Sequence, residues 1–273
     1  MEVFWRKRRS NNRTGSRWWL PLLPVVVFLA GWQLLSGVNL INPALFPPPT
    51  SIAGELVDLY SSGLPTRSLL LTHVMATLRR LIVAAAVGIL SGTLVGALMG
   101  ISRRLYRFLD PLITVLMPVP GIAMAPLFIV WLGFGDPTII ALGSIAAFFP
   151  LAYNTAAGVR SIDLQLVRAA RMMGADKGTL LLDVYLPWAA GYVLVGIKLG
   201  LARCWRTIIA VEFIAAASWG LGYMIWDAAE YLRADVVYGG IFLLIAIYFV
   251  IEKGLINTLE KHTVERWGMV RRQ

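Results

Sequence analysis

The sequence contains little of what metal centres, disulfides and most enzymes require. Its 273 residues include one cysteine, Cys204, and two histidines, His73 and His262. One cysteine excludes an internal disulfide and a site of several thiolates, and two histidines are too few for a His-rich metal centre. The Gly-x4-Gly-Lys-Ser/Thr, Gly-x-Ser-x-Gly, His-Glu-x-x-His and Cys-x-x-Cys patterns are also missing from the sequence. We therefore expect no catalytic residue, no metal and no cofactor in this chain.

Charged residues are scarce as well, at 15% of the chain against 58% apolar residues. Soluble domains contain about 25% charged and about 45–50% apolar residues, so this composition excludes an ordinary globular enzyme. The net charge of +10 suits nucleic-acid binding, but nucleic-acid binders lack apolar runs of bilayer length. We predict an all-α membrane protein that lies in a lipid bilayer and binds no nucleic acid.

Six apolar segments have the length of a transmembrane helix, which takes about 20 residues to cross a hydrocarbon core of about 30 Å. The first follows basic residues, as the core of a signal peptide does, but it is longer and has no clear cleavage site, so we expect it to be retained. These segments are 18–36, 74–101, 109–132, 138–159, 188–217 and 236–255. They define a transmembrane domain over 18–258, between a basic arm at 1–17 and a tail at 259–273.

The basic residues predict the orientation of the chain. Most of the 25 lysines and arginines lie in four regions: the arm, residues 102–107, the loop 160–187 and the tail. Six spans place all four regions on one side, and the positive-inside rule makes that side and both termini cytoplasmic. Arg79 and Arg80 do not fit this scheme, and we expect an interfacial turn from which their guanidinium groups snorkel outward. The proline-rich outer segment 42–49 is expected to be a stiff, extended connector.

Two spans have unusual sequences. The second carries small residues at a spacing of four, which lets another helix approach closely, for packing or for sliding between two states. These residues are Ala84, Gly88, Gly92, Gly96 and Gly100. The third span must kink or break, either as a structural bend or as a broken helix that faces a pathway. Its helix-breaking residues are Pro118, Pro120, Gly121 and Pro126.

The fifth span contains four charged side chains, and a charge at mid-membrane costs on the order of 3 kcal/mol. At about 100° per residue, Lys198, Trp205 and Glu212 share one stripe, and Arg203 and Arg206 lie roughly opposite. Lys198 and Glu212 either form a structural ion pair or line a path. The arginines either form a positive lining that helps an anion to cross or pair with carboxylates on neighbouring spans. The candidate path residues are Lys198, Arg203, Trp205, Arg206, Glu212 and, in the third span, Pro120.

The loop between the fourth and fifth spans carries the most specific pattern of the chain. It reads Arg168-Ala169-Ala170, three residues, Gly174, nine residues beginning with Ala175, and then Val184-Tyr185-Leu186-Pro187. The pattern predicts a short helix, a turn at Gly174 and a second amphipathic helix that stops at Pro187. Such a helix–turn–helix suits docking into the groove of a partner.

This loop resembles the E-A-A-x3-G-x9-I-x-L-P signature of inner-membrane permeases of ATP-binding-cassette importers. Arg168 stands in place of the leading Glu, and Val184 stands in place of Ile. The resemblance implies that the loop is the coupling helix held by an ATPase subunit. Its candidate docking residues are Arg168, Ala169, Ala170, Gly174, Ala175, Leu186 and Pro187.

Further segments resemble the permeases of nitrate, sulfonate, taurine and bicarbonate importers, over about residues 43–268. They are 46–49, 110–112, 118–120, 131–135, 149–150, 154, 158–161, 205–212, 220–223 and 235–237. The resemblance implies a homodimer of this chain in a bacterial cytoplasmic (inner) membrane, with two ATPase subunits and an extracytoplasmic solute-binding protein. ATP hydrolysis would then take place in the partner subunits.

The solute and two other function classes remain open at this stage. That family includes importers of pyrimidine vitamin precursors, so a small anion and a neutral heterocyclic nutrient are both candidates. An ion-coupled secondary transporter would work without an ATPase. A membrane-embedded enzyme would require a cluster of His, Asp or Ser in the spans, where only Glu212 and Asp110 come near.

Overall fold

The structure is a computed structural model that describes residues 23–38, 40–62 and 68–256. The predicted basic arm at 1–17, the start of the first span at 18–22 and the tail at 259–273 lie outside the described residues. Within the described ranges the regular elements are all helical, which agrees with the all-α prediction.

The described ranges contain eleven α-helices and two π-helical turns. The helices are α1 (Leu23–Gly37), α2 (Pro49–Ser61), α3 (Leu69–Ile101), α4 (Arg103–Leu116), α5 (Gly121–Leu132), α6 (Asp136–Arg160), α7 (Leu164–Met172), α8 (Lys177–Thr179), α9 (Leu186–Ala215), α10 (Leu221–Glu230) and α11 (Ala234–Ile251). The π-helical turn Leu180–Tyr185 joins α8 to α9, and Glu252–Ile256 extends α11.

Four helical segments of the described part are long and apolar enough to cross a membrane. They are Leu69–Ile101, Asp136–Arg160, Lys177–Ala215 and Ala234–Gly254. Helices α4 and α5 give a fifth candidate when counted together, bent by 103°. The remaining predicted span corresponds to α1, whose 15 described residues are fewer than a span needs.

The surface of the bundle is apolar along its helices. Large side chains such as Phe28, Val130, Ile245 and Val250 are more than half exposed. A soluble protein rarely leaves contiguous apolar patches of this kind in water. Since lipid tails surround such side chains favourably, this surface fits a bilayer.

Helices α3, α6 and α9 form the core, and glycines set how closely they approach. A Cβ placed on Gly88 would lie 2.6 Å from the carbonyl oxygen of Ser144, and one on Gly96 would lie 2.5 Å from that of Ala152. The small residues of the second predicted span therefore pack against α6, as the spacing predicts. These contacts make α3 and α6 parallel. The contact of Gly196 with Leu151 and that of Gly143 with Ile208 make α9 antiparallel to α6.

We expect Gly96→Val to destabilise the protein by a few kcal/mol, because overpacking a close helix contact costs about 1–3 kcal/mol and backbone atoms cannot yield easily. The thermal unfolding temperature of the purified protein in detergent measures this. Gly31→Val is the matched control, since a Cβ at Gly31 meets nothing within 4 Å. Equal unfolding temperatures for the two variants would contradict the close α3–α6 contact.

The bundle has two ends. The first, called the α10 end, holds the starts of α3 and α6, the end of α9, and the short helices α2 and α10. The second, called the α7 end, holds the ends of α3 and α6, the start of α9, and α7.

Two sequence predictions are corrected here. The outer connector is irregular only up to Pro48, because Pro49 opens α2, where the missing N–H of a first-turn proline costs nothing. The helix that follows Gly174 does not stop at Pro187 but runs from Lys177 to Ala215. The π-helical turn before Pro187 lets Leu186 N–H bond to Leu181 O, five residues back, so the helix passes the proline ring.

The predicted break of the third span is confirmed. Helix α4 ends at Leu116 and α5 begins at Gly121, with Pro120 as the residue that caps α5. The two helices differ in direction by 103°. Prolines at both 118 and 120 remove backbone donors, so the chain cannot continue as one helix there.

Candidate functional site

A buried ion cluster joins three helices at the α10 end. The Arg80 side chain on α3 is 5% exposed, and the Glu212 side chain on α9 is fully buried. Arg80 Nη1 donates to Glu212 Oε1 at 2.6 Å and to the carbonyl of Trp219 at 2.6 Å. Its Nε donates to Asp136 Oδ1 at 2.7 Å, at the first turn of α6. One guanidinium thus balances two carboxylates from different helices.

Backbone groups of α10 complete the coordination of Glu212. The N–H of Gly222 donates to Glu212 Oε2 at 2.9 Å. The Thr77 hydroxyl lies 3.0 Å from each carboxylate oxygen and accepts the N–H of Leu221 at 2.8 Å. A carboxylate at a helix N-terminus is favourable because the first N–H groups of the helix have no partner within it.

Two glycines make room for this cluster. Gly220 has φ +152°, which side-chain-bearing residues rarely adopt, and a Cβ there would lie 2.7 Å from Arg80 Nη1. A Cβ on Gly222 would lie 2.5 Å from the carbonyl oxygen of Ile209. The segment 220–223 therefore packs directly against the Arg80–Glu212 pair.

This cluster corrects two predictions. Arg80 does not snorkel outward but turns into the bundle, because Glu212 and Asp136 offset the cost of burying it. Only Arg79, with a side chain 65% exposed, lies at the surface, where it also contacts Asp136. The partner of Glu212 is Arg80, not Lys198, which is half-buried further along α9.

The two arginines of α9 line a separate cavity of about 360 Å³. Arg203 and Arg206 face it from α9, together with Thr207, and the broken segment 117–122 faces it from the other side. The structure thus brings together Arg203, Arg206 and Pro120 from the predicted path residues. Trp205 instead lies buried at 6% exposure and packs 6.2 Å from the ring of Tyr248.

Backbone carbonyls hold the two guanidinium groups. Arg203 Nη1 donates to the carbonyl of Met117 at 2.9 Å, a group that the break in the third span leaves without a helical partner. Arg206 Nε donates to the carbonyl of Ala202 at 3.2 Å. Within the described residues neither arginine forms an ion pair, so their pairing with carboxylates on neighbouring spans is not found there. The described residues that line the cavity therefore place two positive charges on it and include no carboxylate.

The loop 160–187 forms a helix–turn–helix at the α7 end. The Asp163 carboxylate caps α7 by accepting Gln165 N–H at 2.9 Å. Gly174, with φ +88°, ends this helix, and the N–H of Ala175 bonds back to Ala170 O at 3.1 Å. Asp176 then caps the next helix by accepting Thr179 N–H at 2.8 Å. Hydrogen bonds from the Thr179 hydroxyl and N–H hold the pKa of the Asp176 carboxyl below its usual range.

Three of the seven predicted docking residues line a groove of about 550 Å³ between α7 and the start of the long helix. Ala169, Ala170 and Pro187 line the groove, and Ala175 packs on the small core beneath it. Met173, at 82% exposure, also lines the groove, and Met172, at 83% exposure, is its neighbour in the chain. Arg168 is exposed and Leu186 is half-buried.

Several residues of these sites were missed by sequence reasoning. Asp136, Thr77 and Thr207 are single polar residues whose roles depend on partners far away in the chain. The Arg80–Glu212 contact, for example, spans 132 positions. A local signal existed only for Asp136, which follows Gly135 at a helix start.

These features define a class of protein. An apolar helical bundle with a broken span, a cavity whose described lining has two arginines and no carboxylate, and a helix–turn–helix at one end has the features of a polytopic membrane transport protein. The chain belongs to the family described as binding-protein-dependent transport system inner membrane component, which its residues 87–253 match. It is therefore a transport permease of the inner membrane and not itself an enzyme.

Named relatives agree with this assignment. The chain is 34% identical to the taurine transport system permease protein TauC of Escherichia coli (strain K12), over 93% of this chain and 94% of that protein. It is 32% identical to the putative aliphatic sulfonates transport permease protein SsuC of Bacillus subtilis (strain 168), over 94% of this chain and 90% of that protein. It is 25% identical to the bicarbonate transport system permease protein CmpB of a Synechocystis strain, over 93% of this chain and 90% of that protein.

A solved structure shares the fold. The chain superposes on a chain of the MetNI methionine ABC transporter in inward-facing conformations with a TM-score of 0.58, covering 72% of this chain and 99% of that chain. The sequence identity is 21%, so this likeness shows the fold alone.

Proposed function

We propose that this permease is the membrane subunit of an ATP-driven importer and that it conducts a small anion past the cavity lined by Arg203 and Arg206. In this proposal the chain has six spans, with α1 completing the first. Its α7 end and both termini are cytoplasmic. Its partners are a second copy of itself, two ATPase subunits and an extracytoplasmic solute-binding protein.

The two arginines on this cavity are the observation that carries the choice of solute. Glu212 and Asp136, the carboxylates on the core helices α9 and α6, are already engaged by Arg80. Arg203 and Arg206 therefore leave the cavity positive, and the Thr207 hydroxyl adds a hydrogen-bond donor. A positive lining in a low-dielectric path lowers the barrier for an anion and raises it for a cation.

Sulfonates and bicarbonate fit this lining, and the printed names of the relatives support that class. Two copies of the chain would place the arginines twice around one axis, which would strengthen the field. A neutral heterocyclic solute would gain no electrostatic stabilisation from these charges.

We expect Arg206→Gln to slow uptake by about tenfold, because one of two fixed charges on the cavity is lost. The measurement is uptake of a radiolabelled alkyl sulfonate by proteoliposomes that contain the complete importer. Affinity of the isolated binding protein should not change. Arg104→Gln is the matched control, since it removes an exposed arginine outside the cavity.

Thermal stability of both variants separates a path from a structural role. If Arg206→Gln is less stable but takes up solute at an unchanged rate per folded complex, the anion path is contradicted. A neutral solute would then be favoured. Uptake that persists without any ATPase subunit would instead favour an ion-coupled transporter.

We propose in addition that the helix–turn–helix at 160–187 docks on the ATPase subunit. The groove beside Ala169, Ala170 and Pro187, together with the exposed Met172 and Met173, supports this role, because flexible methionines suit adaptable contacts. The exposed Arg168 offers a positive charge where the family signature has an acidic one.

A further inference from the structure

A second cavity, of about 600 Å³, lies at the α10 end and has no part in the proposed anion path. Elements α2, α3, α10 and the segment before α11 form it. Its polar and aromatic lining comprises His73, Trp219, Tyr223, Asp227, Tyr231 and Arg233.

Aromatic rings form one wall of this cavity. The His73 ring lies edge-on to Trp219 with centroids 5.1 Å apart, and it stacks on Tyr223 at 6.3 Å with an interplanar angle of 12°. Backbone atoms of Gly220 fix the orientation of the imidazole, since its Nδ1 lies 2.8 Å from the carbonyl oxygen and 3.2 Å from the nitrogen. The three rings are therefore held in place before any ligand arrives.

The charges around the cavity leave it with an available carboxylate. Arg233 also lines the cavity, but it pairs with Glu55 at 2.5 Å and lies 3.9 Å from Asp235, so carboxylates outside the lining balance its positive charge. Asp227 lines the cavity itself and is only partly exposed. Rigid aromatic rings beside a carboxylate attract an organic cation, through the ring quadrupoles and through the charge.

We propose that this cavity is a binding site for a small alkylammonium group, with Asp227 as the counter-ion and the rings of Trp219 and Tyr223 as the aromatic cage. The wall fits the methylene groups of such a ligand, and the carboxylate accepts its N–H bonds. An aromatic belt at a membrane interface would face lipid, whereas these rings face a cavity that also contains a carboxylate. The inference is independent of the anion path, since it involves neither Arg203 nor Arg206.

The test uses the complete transporter in dodecyl maltoside and phosphate buffer, both free of amines. Binding of ethylammonium chloride is measured by thermal shift and by calorimetry, with sodium ethanesulfonate as the probe that has the same ethyl group and the opposite charge. We expect ethylammonium to raise the unfolding temperature of the wild-type protein more than that of Asp227→Asn, whereas any effect of ethanesulfonate should be the same in both. Asp227→Asn should weaken ethylammonium binding by about tenfold or more, because the counter-ion is lost.

Glu230→Gln provides the matched control. It removes a carboxylate from the same helix, but Glu230 lies outside the cavity and accepts the indole N–H of Trp226 at 3.0 Å. The unfolding temperature without ligand shows that each variant is folded, and Tyr223→Leu tests the cage without changing charge. The absence of binding to the wild-type protein, or equal binding by Asp227→Asn, would overturn the proposal. Arg206→Gln should bind ethylammonium normally, so a failure of the anion path leaves this result unaffected.

Discussion

Replacing Arg80 by methionine should destabilise the protein by about 3–5 kcal/mol, the largest stability loss that we expect from a single substitution. Removing one partner of a buried ion pair leaves the other charge without compensation, and that cost exceeds the net contribution of the pair. Here the Glu212 side chain is fully buried, and the loss would also leave the Trp219 carbonyl without its donor. Thermal unfolding of the purified protein measures the effect.

The neighbouring arginine supplies a matched control. Arg79 contacts the same carboxylate of Asp136, but its side chain is 65% exposed. Exposed pairs contribute about 0–1 kcal/mol, so Arg79→Met should change the unfolding temperature little. Similar losses for the two variants would contradict the view that burial makes the Arg80 pair costly to break.

A double variant separates the charge from the packing. In Arg80→Met with Glu212→Leu the buried charges of the pair are both removed, and apolar replacement of a whole pair is often neutral. We expect this variant to recover much of the stability lost in Arg80→Met. Recovery will be incomplete, because the N–H of Gly222 and the hydroxyl of Thr77 lose their acceptor.

Local features of the fold could be predicted from the sequence. The break between α4 and α5 follows from prolines that remove backbone donors wherever they lie. The close packing of α3 on α6 follows from small residues at a spacing of four, since no side chain intervenes. The turn at Gly174 follows from a glycine placed just after a helical segment.

Long-range features could not be predicted in the same way. The position of Arg80 looked like an interfacial one, because its two carboxylate partners lie on other helices. The helices α2 and α10 are short and lie in loops, so they lack the long apolar run that identifies a span. A proline usually ends a helix, and only the π-helical turn at Leu180–Tyr185 shows how this helix continues through Pro187.

The candidate site could be predicted from the sequence only in part. Helical periodicity placed Arg203 and Arg206 on the face opposite to Glu212, and the structure directs them into a cavity that the α9 stripe alone does not reveal. From the stripe of Lys198, Trp205 and Glu212, the last two residues are buried against Tyr248 and Arg80 and do not line that cavity.

The docking loop gives the second large effect. Gly174→Val should reduce uptake and solute-stimulated ATP hydrolysis by about tenfold or more, while membrane insertion persists. Gly174 has φ +88°, and a β-branched residue at positive φ costs of order 1–3 kcal/mol. A Cβ at this position meets nothing within 4 Å, so the effect comes from backbone strain and not from crowding. The loop would relieve that strain by changing the angle between α7 and the helix that starts at Lys177.

Two control variants make this result specific to the turn. Gly174→Asn should retain most of the activity, because asparagine adopts positive φ more readily than other residues with side chains. Gly191→Val adds the same bulk in open space within α9, where the backbone has no positive φ, and should leave coupling intact. Full ATPase stimulation in Gly174→Val would show that the turn does not set the docking geometry, and equal losses in Gly174→Val and Gly191→Val would assign the effect to bulk. Loss of activity in Gly174→Val alone, with normal amounts in the membrane, would place the coupling contact at the turn between the two helices.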